Sequence, residues 1–137
     1  MKTIHGIVVF YRNCNENTAL IGIATDESVY IKGYIQLIKD NQDNVVVALG
    51  QQVVVHAAGN KFVLDSAENY VPVLFWQDMK KLTSLMRVMD VIAKLPENMH
   101  FENLYENFLQ VLAKLSVDVA DYQTFVDEWE GYVFSLL

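Results

Sequence analysis

Cysteine is almost absent from this chain. Its 137 residues include a single cysteine, Cys14, so no disulfide can form within it. A chain of this length can bury roughly two-thirds of its unfolded surface, which suffices for a core without disulfide or metal staples. The three histidines, His5, His56 and His100, lack the H-x-H or C-x-x-C spacing that anchors a zinc site. The sequence therefore predicts no metal site and no cofactor.

Catalytic motifs are missing as well. The six glycines never approach a G-x-G-x-x-G or phosphate-loop pattern, and no serine stands in a G-x-S-x-G setting. Most carboxylates of the last third fall on the polar side of predicted helices, so no buried acid–base pair is indicated. We therefore predict no catalytic residues and interpret the protein as a non-enzyme.

Long hydrophobic runs are also lacking. No apolar stretch approaches the roughly 18 residues of a membrane span. The apolar run near the start ends at Tyr11, before Arg12, without the cleavage pattern of a secretory signal. We therefore expect a cytoplasmic protein that does not enter a membrane. Apolar residues still make up 53% of the chain, and this surplus predicts a homo-oligomer or a stable hetero-complex.

Positive charge is scarce. Ten Lys and Arg residues face 17 Asp and Glu residues, which gives a formal net charge of −7. The deficit is concentrated from Glu97 onward, where Lys114 alone opposes the acidic residues. Nucleic-acid backbones are bound through Lys and Arg, so this balance disfavours nucleic acid as a partner. An acidic surface for a basic partner protein is one interpretation, and a solvated helical surface is the other.

The first 76 residues indicate a β-rich half. Short runs of valine, isoleucine and tyrosine alternate with turn clusters, a pattern typical of antiparallel strands. Gly50-Gln51-Gln52 is interpreted as a tight hairpin or a bulge. We predict a meander of six or seven strands that closes as a small barrel or roll. The predicted strands cover residues 4–11, 20–25, 29–39, 45–49, 53–57, 61–65 and 71–75.

The residues after Trp76 have helical spacing. Asp78 is predicted to cap a helix that ends near Leu95. A second helix is predicted over about 100–115, and a third begins at Ser116 or Asp118. We therefore predict an α+β protein, a single domain over residues 1–137, in which three C-terminal helices pack with the sheet. The buried stripe of the first helix is predicted to comprise Met79, Leu82, Leu85, Met86, Met89, Ile92 and Ala93.

One predicted strand has an aromatic and basic face. Tyr30, Lys32 and Tyr34 alternate with Ile31 and Ile35, so the first three residues share one face of the strand. Aromatic rings beside a cation can stack the bases of a single-stranded nucleic acid. Tyrosine also suits an ordinary solvent-facing strand. Tyr30, Lys32 and Tyr34 are therefore the candidate nucleic-acid site, as a second choice.

The third predicted helix carries the leading candidate site. Glycine within a helix costs about 1 kcal/mol relative to alanine, so Gly131 indicates the close approach of another backbone, or else a kink or fraying there. Small side chains surround it, and acidic residues that would steer a basic partner flank them. The predicted partner-binding residues are Asp121, Asp127, Glu128, Glu130 and Gly131.

Three functions fit this sequence. The leading hypothesis is a small acidic protein–protein interaction module, such as an inhibitor, an immunity-type protein, a chaperone or an assembly adaptor, that occludes a partner's surface. The second is a small-molecule-binding or enzymatic barrel with a pocket between sheet and helices. The third is single-stranded nucleic-acid binding through the strand face of Tyr30 and Tyr34.

Overall fold

The computed structural model describes residues 2–37, 47–69, 78–117 and 119–137. These residues form an N-terminal set of strands followed by three helices, which confirms the predicted α+β class. The strands are β1 (Lys2–Asn13), β2 (Thr18–Thr25), β3 (Tyr30–Gln36), β4 (Gln51–Ala58) and β5 (Lys61–Asn69). The helices are α1 (Met79–Ile92), α2 (Leu104–Leu115) and α3 (Tyr122–Ser135).

The strands close into a barrel in the order β1-β2-β3-β5-β4. β1, β2 and β3 pair antiparallel in sequence, and β4 then returns to pair with β1 and with β5. The order β4-β1-β2-β3 is a Greek key. β5 completes the barrel through a short parallel pairing with β3, in which Tyr34 lies opposite Lys61 and Ile35 opposite Phe62. A five-stranded Greek-key barrel is the architecture of the OB-fold.

The strand prediction needs two corrections. Six or seven strands were expected, and the described residues form five. Residues 47–49, the described part of the predicted strand 45–49, lead into a turn in which the Gln51 amide donates to the Ala48 carbonyl. Gly50 has a φ of 83° within this turn, and its amide donates to the Val8 carbonyl of β1 at 2.9 Å. Whether it forms a hairpin or a bulge stays a prediction. The predicted strand 71–75 lies outside the described residues. The simple meander is also wrong, because β4 crosses back to β1.

Alternate side chains of the strands fill the barrel. Val8, Ile21 and Ile23 of β1 and β2 are fully buried there, together with residues of the other strands. Gly33 also faces the interior. A Cβ at this position would lie 2.5 Å from ring atoms of Phe62, so the missing side chain leaves the space that this ring occupies. The barrel is therefore packed with side chains.

A second core lies between the barrel and the helices. It combines outward-facing barrel residues, among them Ile7 and Tyr30, with apolar side chains of all three helices. The Trp129 ring of α3 stacks on the Phe108 ring of α2 with a centroid distance of 6.1 Å. Its indole Nε1 donates to the Val88 carbonyl at 3.0 Å. The helices thus cover one end of the outer face of the barrel.

The predicted buried stripe of α1 is partly wrong. Met79 and Met86 were expected in the core, but their side chains are 70% and 50% exposed. Val88 and Val91 are buried in their place. The reason is that α1 packs against α3 and α2 as well as against β1. Its buried surface therefore wraps further round the helix than one stripe.

The helix starts were predicted with mixed success. Asp78 caps α1 as expected, since its Oδ1 accepts from the amides of Lys80 and Lys81 at 3.0 and 3.3 Å. The third helix begins later than predicted, at Tyr122. The second begins at Leu104 rather than near residue 100, because the preceding residues pair with the barrel.

The turn between β2 and β3 joins the barrel to α2. Ser28 lies in this turn with a φ of 59°. Its carbonyl accepts from the Phe101 amide at 3.0 Å, and its Oγ accepts from the Tyr105 amide at 3.0 Å. Asn103, at the N-cap position of α2, makes no side-chain capping bond. Ser28 therefore caps α2 from a distant part of the chain.

Candidate functional site

Asp121, one of the predicted partner-binding acids, is a helix cap. Its Oδ1 accepts from the amides of Gln123 and Thr124 at 3.1 and 3.2 Å. The Thr124 hydroxyl donates to Oδ2 at 2.9 Å. The Thr124 hydroxyl, followed by these amides, lowers the pKa of Asp121. Asp121 thus caps α3, the role that the sequence had assigned to Ser116 or Asp118. Residue 118 itself lies outside the described residues.

Two further predicted acids are paired within the protein. The Arg87 guanidinium of α1 lies 3.0 Å from Glu130 Oε1 and 3.6 Å from Asp127 Oδ1. Glu128 is exposed and forms no ion pair within the described ranges. Asp121, Asp127 and Glu130 therefore make contacts within the protein that stabilise α3 and its packing on α1. The role of the four acids in docking a basic partner stays a prediction.

Gly131 lies on the open side of α3. It is exposed, and a Cβ added there would meet no atom of the described residues within 4 Å. The helix continues past it to Ser135, so α3 does not end at the glycine. No backbone from the described part of this chain approaches Gly131 closely.

The candidate face of β3 is divided by the helices. Tyr30 and Tyr34 share the outward face, as the alternation predicted, but Tyr30 is 0% exposed and Tyr34 is 41% exposed. Burial, with the nearby Glu97 and Asp90 carboxylates, raises the pKa of Tyr30. Its hydroxyl has no hydrogen-bond partner among the described residues. Tyr30 therefore offers no ring to a ligand, and the predicted stacking pair is corrected to Tyr34 alone.

The strand register places Tyr34 between two cations. Arg12 of β1 lies opposite Leu20 of β2, and Leu20 lies opposite Tyr34. Tyr34 in turn lies opposite Lys61 of β5. Residues opposite one another on paired strands project from the same face, so these four form a row across the outside of the barrel. Arg12 and Lys61 are exposed, and neither forms an ion pair with any described residue.

A second row lies two residues further along the strands. Phe10 of β1 lies opposite Gly22 of β2, and Gly22 lies opposite Lys32 of β3. The Lys32 Nζ is 4.8 Å from the centroid of the Phe10 ring and 5.9 Å from that of Tyr30. These are cation–π distances. Because Gly22 has no side chain, Lys32 reaches across it to Phe10.

Three of the four strands that carry these rows lack carboxylates, and the fourth, β5, contains Asp65 and Glu68. β1, β2 and β3 contain no Asp or Glu, whereas β1 and β3 contribute Arg12 and Lys32. Asp65 of β5 lies 3.6 Å from His56 Nε2 on β4. This surface is thus locally basic in a protein of net charge −7. We call it the barrel platform, and its residues are Phe10, Arg12, Leu20, Lys32, Tyr34 and Lys61.

A groove of about 340 Å³ adjoins the barrel platform between β3 and β5. Tyr34 and Lys61 form part of its wall, together with Gln36 and Val63. Val63 is 53% exposed, so the groove offers an apolar surface beside polar side-chain ends. This combination is typical of ligand sites. The groove extends the exposed surface beside the Tyr34 ring.

Sequence reasoning missed one further cluster. His56 Nδ1 lies 3.1 Å from Thr3 Oγ1, and its Nε2 lies 3.6 Å from Asp65 Oδ2. The order hydroxyl, imidazole, carboxylate matches a hydrolase triad. However, 3.6 Å is too long for a hydrogen bond, and the Asp65 side chain is 59% exposed. The carboxylate therefore does not fix the imidazole in the way that a catalytic base requires.

The remaining predictions concern pockets and metals. Between the barrel and the helices, the described side chains form a buried apolar cluster. A pocket of about 200 Å³ is lined by barrel residues such as Lys2, Thr25 and Ile31 together with Asn98, from the segment between α1 and α2. Within residues 2–37, 47–69, 78–117 and 119–137, no group of three or more His, Cys, Asp or Glu side chains could hold a metal ion. None of the helices described here combines the length and the apolar character needed to cross a membrane.

Comparison with known proteins adds no identity to this geometry. No family model matches the sequence, and a search of curated proteins found no significant match. Any function must therefore be argued from the barrel platform itself.

Proposed function

We propose that this protein binds single-stranded nucleic acid on its barrel platform. The observation that carries the proposal is the row in which the exposed Tyr34 ring lies between the exposed cations Arg12 and Lys61, neither of which forms an ion pair with a described residue. Proteins that bind single strands without sequence preference combine a basic track for the backbone with aromatic rings that stack bases. The row offers both elements on adjacent strands of one rigid barrel.

Each residue of the row has a distinct role in this proposal. Tyr34 stacks one base, a contact typically worth about 1–3 kcal/mol. Arg12 and Lys61 contact the phosphates on either side, and Leu20 provides apolar surface between Arg12 and the ring. Phosphate contacts carry no sequence information. We therefore expect the protein to prefer single strands without strong selectivity for sequence.

The architecture supports the same location. Five-stranded Greek-key barrels of the OB type bind oligonucleotides and oligosaccharides on the face of strands 2 and 3. In this barrel the outward residues of β2 and β3 include Leu20, Lys32 and Tyr34. The uncovered cations favour the nucleic acid, because an oligosaccharide carries no phosphate for Arg12 and Lys61 to neutralise.

The uneven charge of the protein is compatible with this proposal. Residues 78–137 contain twice as many acidic as basic residues, and the cations Arg12, Lys32 and Lys61 lie on the barrel. The acidic helices repel the phosphates and the barrel platform attracts them. The bound nucleic acid is therefore confined to the side of the protein that carries the barrel platform. The few cations predict modest affinity that falls steeply with salt.

Fluorescence anisotropy with a labelled oligo-dT of about 15 nucleotides tests the proposal, since OB-type barrels occupy roughly 4–16 nucleotides. At low salt we expect Tyr34→Ala to weaken binding by roughly 5- to 100-fold. Arg12→Gln and Lys61→Gln should each reduce the slope of log affinity against log salt by about 1. All three variants replace exposed side chains, so they should fold normally.

Two matched controls lie away from the platform. Phe134 of α3 is 47% exposed, similar to Tyr34, and Lys94, two residues after the end of α1, is an exposed cation. Phe134→Ala and Lys94→Gln should leave the affinity and the salt slope unchanged. The proposal fails if the wild-type protein does not bind the oligonucleotide at low salt. It also fails if Tyr34→Ala and Phe134→Ala weaken binding equally.

A further inference from the structure

The ammonium group of Lys32 lies over the Phe10 ring. Phe10 is half-buried on the outer face of β1, and the Lys32 Nζ lies 4.8 Å from the centre of its ring. Gly22, the residue between them on β2, has no side chain, and the end of the Tyr30 ring occupies the space where its Cβ would be. A Cβ at Gly22 would overlap the Tyr30 hydroxyl, so the end of Tyr30 closes the space behind Lys32. Lys32 is therefore the outer wall of a small aromatic site.

This cover is weakly held. Lys32 forms no ion pair with the described residues, and a cation over a ring at a partly exposed site is a weak contact. A phosphate oxygen offers the same ammonium group a charge-assisted hydrogen bond, which is among the stronger polar contacts. A phosphate that reaches the platform can therefore draw Lys32 away from Phe10.

The Tyr30 hydroxyl, which lies beside Lys32, is a polar group without a hydrogen-bond partner among the described residues. Tyr30 is fully buried, and no described residue offers its hydroxyl a hydrogen-bond partner. Buried hydroxyls are normally paired, because an unpaired one loses its contact with water without compensation. This hydroxyl ends against Gly22, next to the Lys32 cover. A polar ligand atom that replaces Lys32 would meet an available donor and acceptor.

We infer that Phe10 is a second base-stacking ring, which Lys32 covers in the free protein and uncovers by moving to a phosphate of the bound strand. The inference rests on the proposed function and deepens it. Phe10 and Tyr34 lie on the same face of β1 and β3, on the order of 10 Å apart across the intervening β2. The platform then holds two bases, and Lys32 serves as both cover and phosphate ligand.

Proton NMR of the ε-methylene group of Lys32 tests the movement directly. In the free protein the Lys32 Nζ lies 4.8 Å from the centroid of the Phe10 ring, so the adjoining ε-methylene protons should be shifted upfield by its ring current. On saturation with the same oligo-dT the upfield shift should disappear. Lys94, which lies beside Asp90 on α1, is the control, and its ε-methylene protons should not move.

Variants test the contribution of the ring. Phe10→Leu should weaken oligonucleotide binding by about tenfold without changing the salt slope, because it removes a stacking surface and no charge. Phe10→Tyr keeps a ring and should bind like the wild type. Lys32→Met should lower the salt slope by about 1, because its contact with phosphate is lost.

The outcomes separate this inference from the proposal beneath it. If the oligonucleotide binds but Lys32 keeps its ring-current shift, or if Phe10→Leu binds as tightly as the wild type, the inference is wrong and Tyr34 still carries the function. If the wild-type protein does not bind the oligonucleotide, both the proposed function and the inference about Phe10 are wrong. The NMR measurement uses the unmodified chain, so it remains decisive even if Phe10→Leu does not fold.

Discussion

Two halves of the outer face of the barrel differ in what covers them. Tyr30 and Tyr34 lie on the same strand and project from the same face, yet Tyr30 is fully buried and Tyr34 is 41% exposed. Around Tyr30 the outward residues of β1 and β2 are apolar, as at Ile7 and Ala24, and the helices pack on them. Around Tyr34 the helices do not reach. The same residue type therefore serves the core in one half and faces solvent in the other.

The outward-facing residues of the barrel differ between the part that the helices bury and the part that they leave exposed. Where the helices pack, the outward positions contribute apolar surface to a buried cluster, and the cost of leaving that surface in water explains why the helices stay there. Where they do not pack, the outward positions include Arg12, Lys32 and Lys61. None of these three cations forms an ion pair with a described residue, and exposed charges of this kind add little to the stability of a protein. The proposed function gives these cations a role in binding.

Truncation of the two tyrosines should show the largest difference between the covered and uncovered parts of this face. Tyr30→Ala should lower the free energy of unfolding by about 3–5 kcal/mol, because it removes a fully buried ring. Tyr34→Ala should change it by no more than about 0.5 kcal/mol, because the side chain is partly exposed. Urea denaturation of the two variants measures both values. Equal losses of stability would contradict the division of the face.

The local sequence pattern predicted which side chains share a face of a strand. It could not predict which part of that face the helices bury. The alternation along β3 correctly placed Tyr30, Lys32 and Tyr34 on one side. Nothing in the pattern distinguished the covered Tyr30 from the uncovered Tyr34, because the helices that make the difference begin some 50 residues later, at Met79. The cap at Asp78 was predictable because the carboxylate and the amides that it accepts from lie within three residues.

The candidate site was hidden for a related reason. Tyr34 is flanked by Lys61 only because β5 closes the barrel beside β3, a parallel pairing that no turn signal announces. Arg12 joins the same row through the register of β1 with β2. The low content of Lys and Arg argued against nucleic acid as an average over the chain. A whole-chain average cannot show that Arg12 and Lys61 lie beside Tyr34, because their proximity depends on the order of the strands in the barrel.

A smaller effect tests the border between the two halves. At Gly22 a Cβ would overlap the Tyr30 hydroxyl and lie 2.8 Å from ring carbons of Tyr30, so Gly22→Ala must displace a buried ring. We expect it to lower the free energy of unfolding by about 1–3 kcal/mol, a typical cost of overpacking. Tyr30→Phe alone should raise the free energy by about 1 kcal/mol, because it removes an unpaired buried hydroxyl.

The double variant, Gly22→Ala with Tyr30→Phe, separates the two causes. Without the hydroxyl the new methyl group meets less resistance, so the double variant should lose less stability than the two single effects sum to. Chemical denaturation of all four proteins gives the coupling. Simple additivity would mean that Gly22 is required for some reason other than the approach of Tyr30.

The smallest effect concerns the link between barrel and helices at the covered end. Ser28→Ala removes the Oγ that accepts from the Tyr105 amide at 3.0 Å, so α2 loses its cap from the β2–β3 turn. We expect a loss of about 1 kcal/mol and faster hydrogen exchange at the Tyr105 amide. Ser28→Gly should lose less, since glycine adopts the φ of 59° more easily than alanine. Ser135→Ala, on an exposed helix end, is the control.

This last variant also asks whether the two halves are coupled. Ser28 lies at the covered end and Tyr34 at the uncovered end of one face, and the rigid strand β3 begins only two residues after Ser28. If the barrel holds the platform by itself, Ser28→Ala should loosen α2 and leave the affinity for oligo-dT unchanged. A loss of affinity without a loss of folded protein would show that the docking of the helices shapes the platform. The conformation of the barrel platform would then depend on the packing of the helices against the other half of the face.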